Sequence, residues 1–135
     1  MYLLDTNVLI CALFAPERLS ATARKAVEGS ETLFVSVVSL WEIAIKQSIG
    51  KLDIDASIPE IADACATLHI DLLPVSAEHI EGIKLLPRIH GDPFDRLIIA
   101  QAMYENHVLI TMDQTIPKYA VKTLWQYPRL CADAK

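Results

Sequence analysis

The sequence lacks any apolar run approaching the roughly 20 residues a membrane-spanning helix needs, and its opening Met1-Tyr2-Leu3-Leu4-Asp5 has no basic stretch ahead of the apolar residues. Neither a membrane anchor nor a secretory leader is expected, and a cytoplasmic location is. Cysteine is sparse and unpaired: Cys11, Cys65 and Cys131 are far apart and form no CxxC spacing, which favours buried free thiols over a zinc centre or a disulfide framework. Internal repeats, low-complexity tracts and Gly/Ser linkers are missing, and the seven prolines are spread singly. One domain spanning residues 1–135 is the simplest organisation. An excess of basic charge is missing too, with 12 Lys and Arg against 17 Asp and Glu and a formal net charge of −5. That balance argues against a surface that coats nucleic acid through broad positive charge. It does not exclude RNA or DNA, because a cluster of metal-binding acids would itself account for most of the deficit. Contact with nucleic acid would then fall to local basic groups such as Lys46, Lys51, Arg88 and Arg96.

What is present is the composition of an ordinary folding domain, 53% apolar and 21% charged over 135 residues. A chain of that size buries a proper core without a metal or disulfide staple, so any metal is functional. Short apolar runs predict strands at 2–4, 33–36, 72–75, 108–111 and, more weakly, 121–124. Helical patterns fill 6–14, 20–28, 38–49, 58–69, 77–85 and 93–106. Caps support several boundaries: Gly50 after Ile49, Ser57 with Glu60, Ser76 before Ala77, and Asp92 followed by Pro93. Alternating strands and helices with fully apolar strands predict a parallel sheet covered on both faces. In such sheets ligands bind beyond the carboxyl ends of the strands.

Four acids fall where a lone carboxylate is costly. Asp5 closes the first predicted strand, Glu42 shares a helix face with Val38, Ile45 and Ile49, Asp95 heads a helix with Ile98, Ile99 and Ala102 below it, and Asp113 closes the fourth strand region. Each has an ordinary alternative. Asp5 and Asp113 suit helix caps or turns, Glu42 suits an i,i+4 pair with Lys46, and Asp95 suits an N-terminal helix acid beside the cap Asp92. Taken together they point to convergence on a hard cation, and a cation held by carboxylates usually serves phosphate chemistry. Arg96 is placed either to bind phosphate or to pair with the adjacent acid, and His90 either to reach substrate or to pack its loop. Trp41 and Phe94, each preceding one of the acids, suit either base stacking or the core, whereas Met103 and Tyr104 are expected in the core.

The segments Leu4-Asp5-Thr6-Asn7, Ser36-Val37-Val38-Ser39-Leu40-Trp41-Glu42, Gly50-Lys51-Leu52, His90-Gly91-Asp92-Pro93-Phe94-Asp95-Arg96 and Thr111-Met112-Asp113 occur in an order that strongly resembles the PIN-domain family, in particular VapC-type toxins of bacterial toxin–antitoxin pairs. The resemblance spans nearly the whole chain. It implies a three-layer α/β/α sandwich around a mainly parallel sheet of four to five strands. It also implies a metal-dependent endoribonuclease whose Mg2+ or Mn2+ is held by Asp5, Glu42, Asp95 and Asp113, with Thr6 or Asn7 and Thr111 assisting. Some members carry a further acid after the last one, whereas Gln114, Thr115 and Ile116 follow here, so Asp113 acts either directly, through water, or from outside the ligand set. The implied partners are an RNA substrate, a cognate antitoxin and a second copy in a homodimer. Two alternatives remain at this stage: a receiver-like or phosphatase-like magnesium domain, for which Lys118 is the candidate lysine, and an inactive PIN interaction module.

Overall fold

Leu3 and Leu4 point to opposite faces of one strand and both are fully buried, so the sheet they belong to must be covered on both sides. The computed structural model describes residues 1–29 and 31–125. Its strands are β1 (Tyr2–Leu4), β2 (Leu33–Ser36), β3 (Ile70–Leu73), β4 (Val108–Ile110) and β5 (Thr123–Leu124), all parallel in the order β3-β2-β1-β4-β5. β1 is central, with Leu4 beside Val35 on one side and Ile110 on the other. Six helices flank the sheet: α1 (Thr6–Phe14), α2 (Ala21–Glu28), α3 (Val37–Ser48), α4 (Ile58–Thr67), α5 (Ala77–Ile83) and α6 (Pro93–Glu105). The result is the expected three-layer sandwich.

The alternation along the strands sorts the two cores. Leu4, Val35 and Ile110 face α1, α3 and α4, where they meet Val8, Leu9, Ile43 and Ile61. Leu3 and Leu109 face the other way and meet Ile98, Ile99 and Ala102 of α6, with Ile83 of α5 packed against them. Strand order therefore runs outward from β1 in both directions, and the first crossovers and the later ones cover opposite faces. The point where the order reverses lies between β1 and β4, which opens a crevice at their carboxyl ends.

Capping residues fix the helix starts. Ser57 and Glu60 form a reciprocal capping box at α4, and at α5 His79 Nδ1 takes the role of the usual glutamate by accepting the Ser76 N–H at 3.0 Å. α6 ends on Asn106, whose left-handed backbone (φ 58°) stops the helix as a glycine would. No described helix is long and apolar enough to cross a membrane.

Two expectations shift, and that of buried free thiols holds for the described cysteines. The third strand lies at Ile70–Leu73 and not at 72–75: the left-handed turn at His69 (φ 58°) delivers the chain into the sheet early, and Pro74 has no N–H to continue a ladder. As an edge strand, β3 keeps Asp71 and Leu72 exposed, so the longest apolar run does not coincide with the paired residues. Met103 and Tyr104 are 41% and 60% exposed, because α6 spends its buried face on Ile98, Ile99 and Ala102. Cys11 and Cys65 are buried free thiols pushed up in pKa by burial, while Cys131 lies outside the described residues.

Packing of α6 against the sheet carries a direct test. Ile99 is fully buried, so Ile99→Ala should cost about 2–5 kcal/mol in urea unfolding, whereas Leu85→Ala, at a side chain 85% exposed, should stay within about 0.5 kcal/mol. Equal effects of the two would contradict this assignment of the core.

Candidate active site

The crevice between β1 and β4 collects the acids. Asp5 follows β1 directly, and its N–H donates to Ile110 O at 3.1 Å, one step beyond the paired residues. Its extended backbone (φ −75°, ψ 172°) makes it the cap of α1, and Oδ1 accepts the Val8 N–H at 2.8 Å. The side chain is 4% exposed. Burial raises its pKa to about 6, against the opposing effect of hydrogen bonds from the Thr111 hydroxyl and the Val8 N–H. Thr111, just past β4, also accepts the Asp113 N–H on the same oxygen at 3.0 Å. One hydroxyl thus ties the two strand ends together.

The second wall is α3. Ser36 caps it through the Val38 N–H, and one turn later Glu42 turns inward, 4% exposed. Thr6 Oγ1 lies 2.6 Å from Glu42 Oε1 and 2.9 Å from Ser39 Oγ. A hydroxyl has one proton, which the carboxylate attracts more strongly, so Thr6 donates to Glu42. Lys46 Nζ donates to the other oxygen, Oε2, at 2.7 Å. Burial and the i,i+4 pair, which stood as alternatives for Glu42, therefore coexist.

The third wall is the N-terminus of α6. Asp92 Oδ1 accepts the N–H groups of Phe94 (2.8 Å) and Asp95 (3.2 Å), so Asp92 is the cap and Asp95 stands inside the first turn. Burial raises the Asp95 pKa to about 7, helped by the charges of Asp92, Glu42 and Asp5 and opposed by His90. His90 Nε2 is 3.1 Å from Asp95 Oδ2 and 2.9 Å from Asp113 Oδ2, while its Nδ1 accepts the Asp92 N–H at 3.1 Å. With Nδ1 accepting, the ring proton is on Nε2, where it is shared between the two carboxylates. Burial disfavours the charged ring, yet the Asp113 hydrogen bond and the charges of Asp95, Asp113 and Asp92 raise its pKa overall. Asp113 moves the other way: burial would raise it, but the His90 hydrogen bond and the Thr115 N–H, 2.7 Å from Oδ1, hold it below the usual carboxylate range.

The predicted acids Asp5, Glu42, Asp95 and Asp113 thus border one crevice, with Thr6 and Thr111 between them. Asn7 is exposed one position farther along α1. Arg96 is placed otherwise than expected. Its guanidinium donates to the carbonyls of Pro87 (2.9 Å), Ile83 (3.3 Å) and Leu86 (3.4 Å), tying α6 to the end of α5 and not to Asp95. Neighbours in a helix point about 100° apart, so adjacency in sequence did not make a pair. His90 is the group the sequence undervalued, since only the folded loop brings it between Asp95 and Asp113. Ser39 is another, one helical turn before Glu42.

The donor set can hold a divalent cation. Side-chain atoms of His90, Asp95 and Asp113 lie within 4.8 Å of one another, and the acids among them, with Asp5 and Glu42 close by, supply carboxylate oxygens, which suit a hard ion. Burial, with smaller contributions from neighbouring acids, disfavours the ionised forms of Asp5 and Asp95 unless positive charge is added. With its proton on Nε2, His90 orients the two acids and has no free lone pair there.

The comparisons with known proteins agree with this architecture. Ribonuclease VapC22 of Mycobacterium tuberculosis is 28% identical over 125 residues, covering 84% of this chain and 88% of that protein. The structure of VapBC2 from Rickettsia felis bound to a promoter DNA fragment aligns over 93% of this chain and 98% of the matched one, with a TM-score of 0.68 at 17% identity. FitAcB from Neisseria gonorrhoeae aligns over 91% and 96%, with a TM-score of 0.62 at 15% identity, and at such identities the likeness is one of fold. The sequence model of the PIN domain matches residues 2–122, nearly all of the described chain, and this protein accordingly belongs to the PIN-domain family.

Proposed function

We propose that the chain acts as a single-domain, Mg2+- or Mn2+-dependent endoribonuclease and as the toxin of a toxin–antitoxin pair. The observation that carries this reading is the convergence of four carboxylates from β1, α3, α6 and the end of β4 on one crevice, with Asp5 and Asp95 raised to about 6 and about 7. A relative named as a ribonuclease and a structure of like fold named as a toxin–antitoxin complex support it.

Asp5 and Asp95 would hold the ion, with Glu42 and Asp113 completing the cluster. When bound, such an ion lowers the pKa of water and neutralises charge on the scissile phosphate. The protein's own residues do the positioning. Thr111 locks the Asp5 and Asp113 ends together, Thr6 and Lys46 hold the two oxygens of Glu42, and His90 aims Asp95 and Asp113 at a common point. One carboxylate of the cluster accepts the proton of the attacking water, and in-line attack cleaves a phosphodiester of single-stranded RNA. Arg96 serves this site by anchoring the start of α6 to the end of α5. The remaining partners are an antitoxin covering the acidic crevice and a second copy of the chain, and the setting is the cytoplasm, where RNA is the available substrate.

Two outcomes check this. Purified protein should cut RNA with Mg2+ or Mn2+ and stop when EDTA is added, and Asp95→Asn or Asp5→Asn should lower the rate about 100-fold or more. RNA cleavage at the parental rate by either variant would overturn the site, and no cleavage under any divalent ion would favour an inactive interaction module. The second concerns pH. Asp5 and Asp95 have folded pKa values above the 3.8 of an ordinary aspartate, so the folded state binds more protons and its stability falls as pH rises from about 4 to 7. In EDTA the melting temperature should therefore drop between pH 5 and 8, the drop should shrink in Asp95→Asn, and added Mn2+ should stabilise more at pH 8 than at pH 5. Thermal melts across pH that show the opposite slope would contradict the proposed clustering.

A further inference from the structure

Trp41 and Phe94 form an aromatic pair that joins α3 to α6, the helices carrying Glu42 and Asp95, and that belongs to neither core cluster. Their ring centroids are 5.1 Å apart with planes at 80°, an edge-to-face contact. Trp41 immediately precedes Glu42 on α3 and Phe94 immediately precedes Asp95 on α6, so the pair bridges the two helices that carry half of the acids. Phe94 is fixed in place, half-buried, with its N–H bound to Asp92 Oδ1 at 2.8 Å. Trp41 is 60% exposed, which forgoes the burial that a side chain of this size would otherwise gain. An edge-to-face contact uses only the face of one ring and the edge of the other, which leaves a flat aromatic face for a third ring.

The chemistry around the pair selects the occupant. Lys46, five residues beyond Trp41 on α3 and about 140° round the helix from it, is 40% exposed and has its ammonium on Glu42, so α3 carries an exposed aromatic face and, on its Glu42 side, a cation. Flat rings next to positive charge are the elements with which proteins hold single-stranded nucleic acid, the rings taking bases and the cations taking backbone. The opposite flank of the crevice differs. There an open cleft of about 510 Å3 is lined by Arg88, His90, Pro93 and Arg96 and has cations but no aromatic six-membered ring. That flank suits phosphate and the Trp41 flank suits a base.

We propose that Trp41, backed by Phe94, stacks the nucleobase adjoining the scissile phosphate and is thereby a substrate-positioning residue of this enzyme. The inference rests on the ribonuclease reading and adds the side of the crevice on which the base lies. It also sets a preference that stacking provides without hydrogen-bond readout, favouring unpaired over duplex RNA.

The test compares KM values, with Mg2+ present, for a short mixed-sequence single-stranded oligoribonucleotide and for the same strand made abasic next to the cleavage site. The wild type should favour the base-bearing strand by about 5- to 100-fold, the range expected for one base–aromatic stack. Trp41→Ala should bring that ratio close to one, and Trp41→Phe should keep most of it, because a smaller flat ring still stacks. Since Trp41 is largely exposed, circular dichroism should show both variants folded. A Trp41→Ala ratio equal to that of the wild type overturns the base subsite while leaving the ribonuclease intact. An unchanged ratio combined with lost binding of a co-expressed antitoxin does the same and assigns the aromatic pair to protein contact. A wild type that hydrolyses methyl p-nitrophenyl phosphate but cuts no RNA overturns the ribonuclease reading, and the subsite with it.

Discussion

The loss of water around clustered carboxylates, with their mutual repulsion added to it, is the constraint on which the rest of this structure turns. Asp5 and Glu42 are almost wholly buried, and Asp95 and Asp113 are only partly open to solvent. Each would be costly alone, and together they are costlier. The fold answers with donors spread over separate elements: the Val8 N–H and Thr111 hydroxyl on Asp5, Thr6 and Lys46 on Glu42, His90 on Asp95 and Asp113, and the Thr115 N–H on Asp113. These contacts leave Asp5 and Asp95 with raised pKa values and Asp113 with a lowered one, a division within one crevice. A divalent cation is the species that relieves what the hydrogen bonds do not.

The sheet topology makes that crevice. Because β1 is central and the chain crosses to the other face before β4, two neighbouring strands end side by side with their helices diverging, and Asp5 and Thr111 fall at those ends. Several residues serve fold and site at once. Asp5 caps α1, Asp92 caps α6, and each cap also places a carboxylate at a helix N-terminus, where the backbone dipole favours negative charge. Arg96, by holding the carbonyls at the end of α5, fixes the loop that delivers His90.

Local rules made much of this legible. The pattern at 6–14 and the run at 33–36 match α1 and β2 residue for residue, because each is bounded by its own cap or turn. Asp95 and Glu42 stood out because each interrupts an apolar helix face. The failures have a common cause, contacts set by distant parts of the chain. β3 slid by two residues because an edge strand buries only part of its length, and Met103 and Tyr104 were taken for core because apolar character alone does not decide burial. Arg96 was judged by its neighbour in sequence, and His90 was underrated because its partners lie 5 and 23 residues away. The receiver-like alternative, plausible from acids at strand ends, gives way to the PIN-domain match over residues 2–122.

The claim that these acids form one cation site is tested most directly by calorimetric titration of Mn2+ into the protein at pH 6.5 in buffers of different ionisation heat. With Asp95 near pKa 7 and Asp5 near 6, binding should displace about one proton per ion, and Asp95→Asn should lose both the binding and the release. Mn2+ binding that releases no protons, or that Asp95→Asn leaves unchanged, would contradict the account.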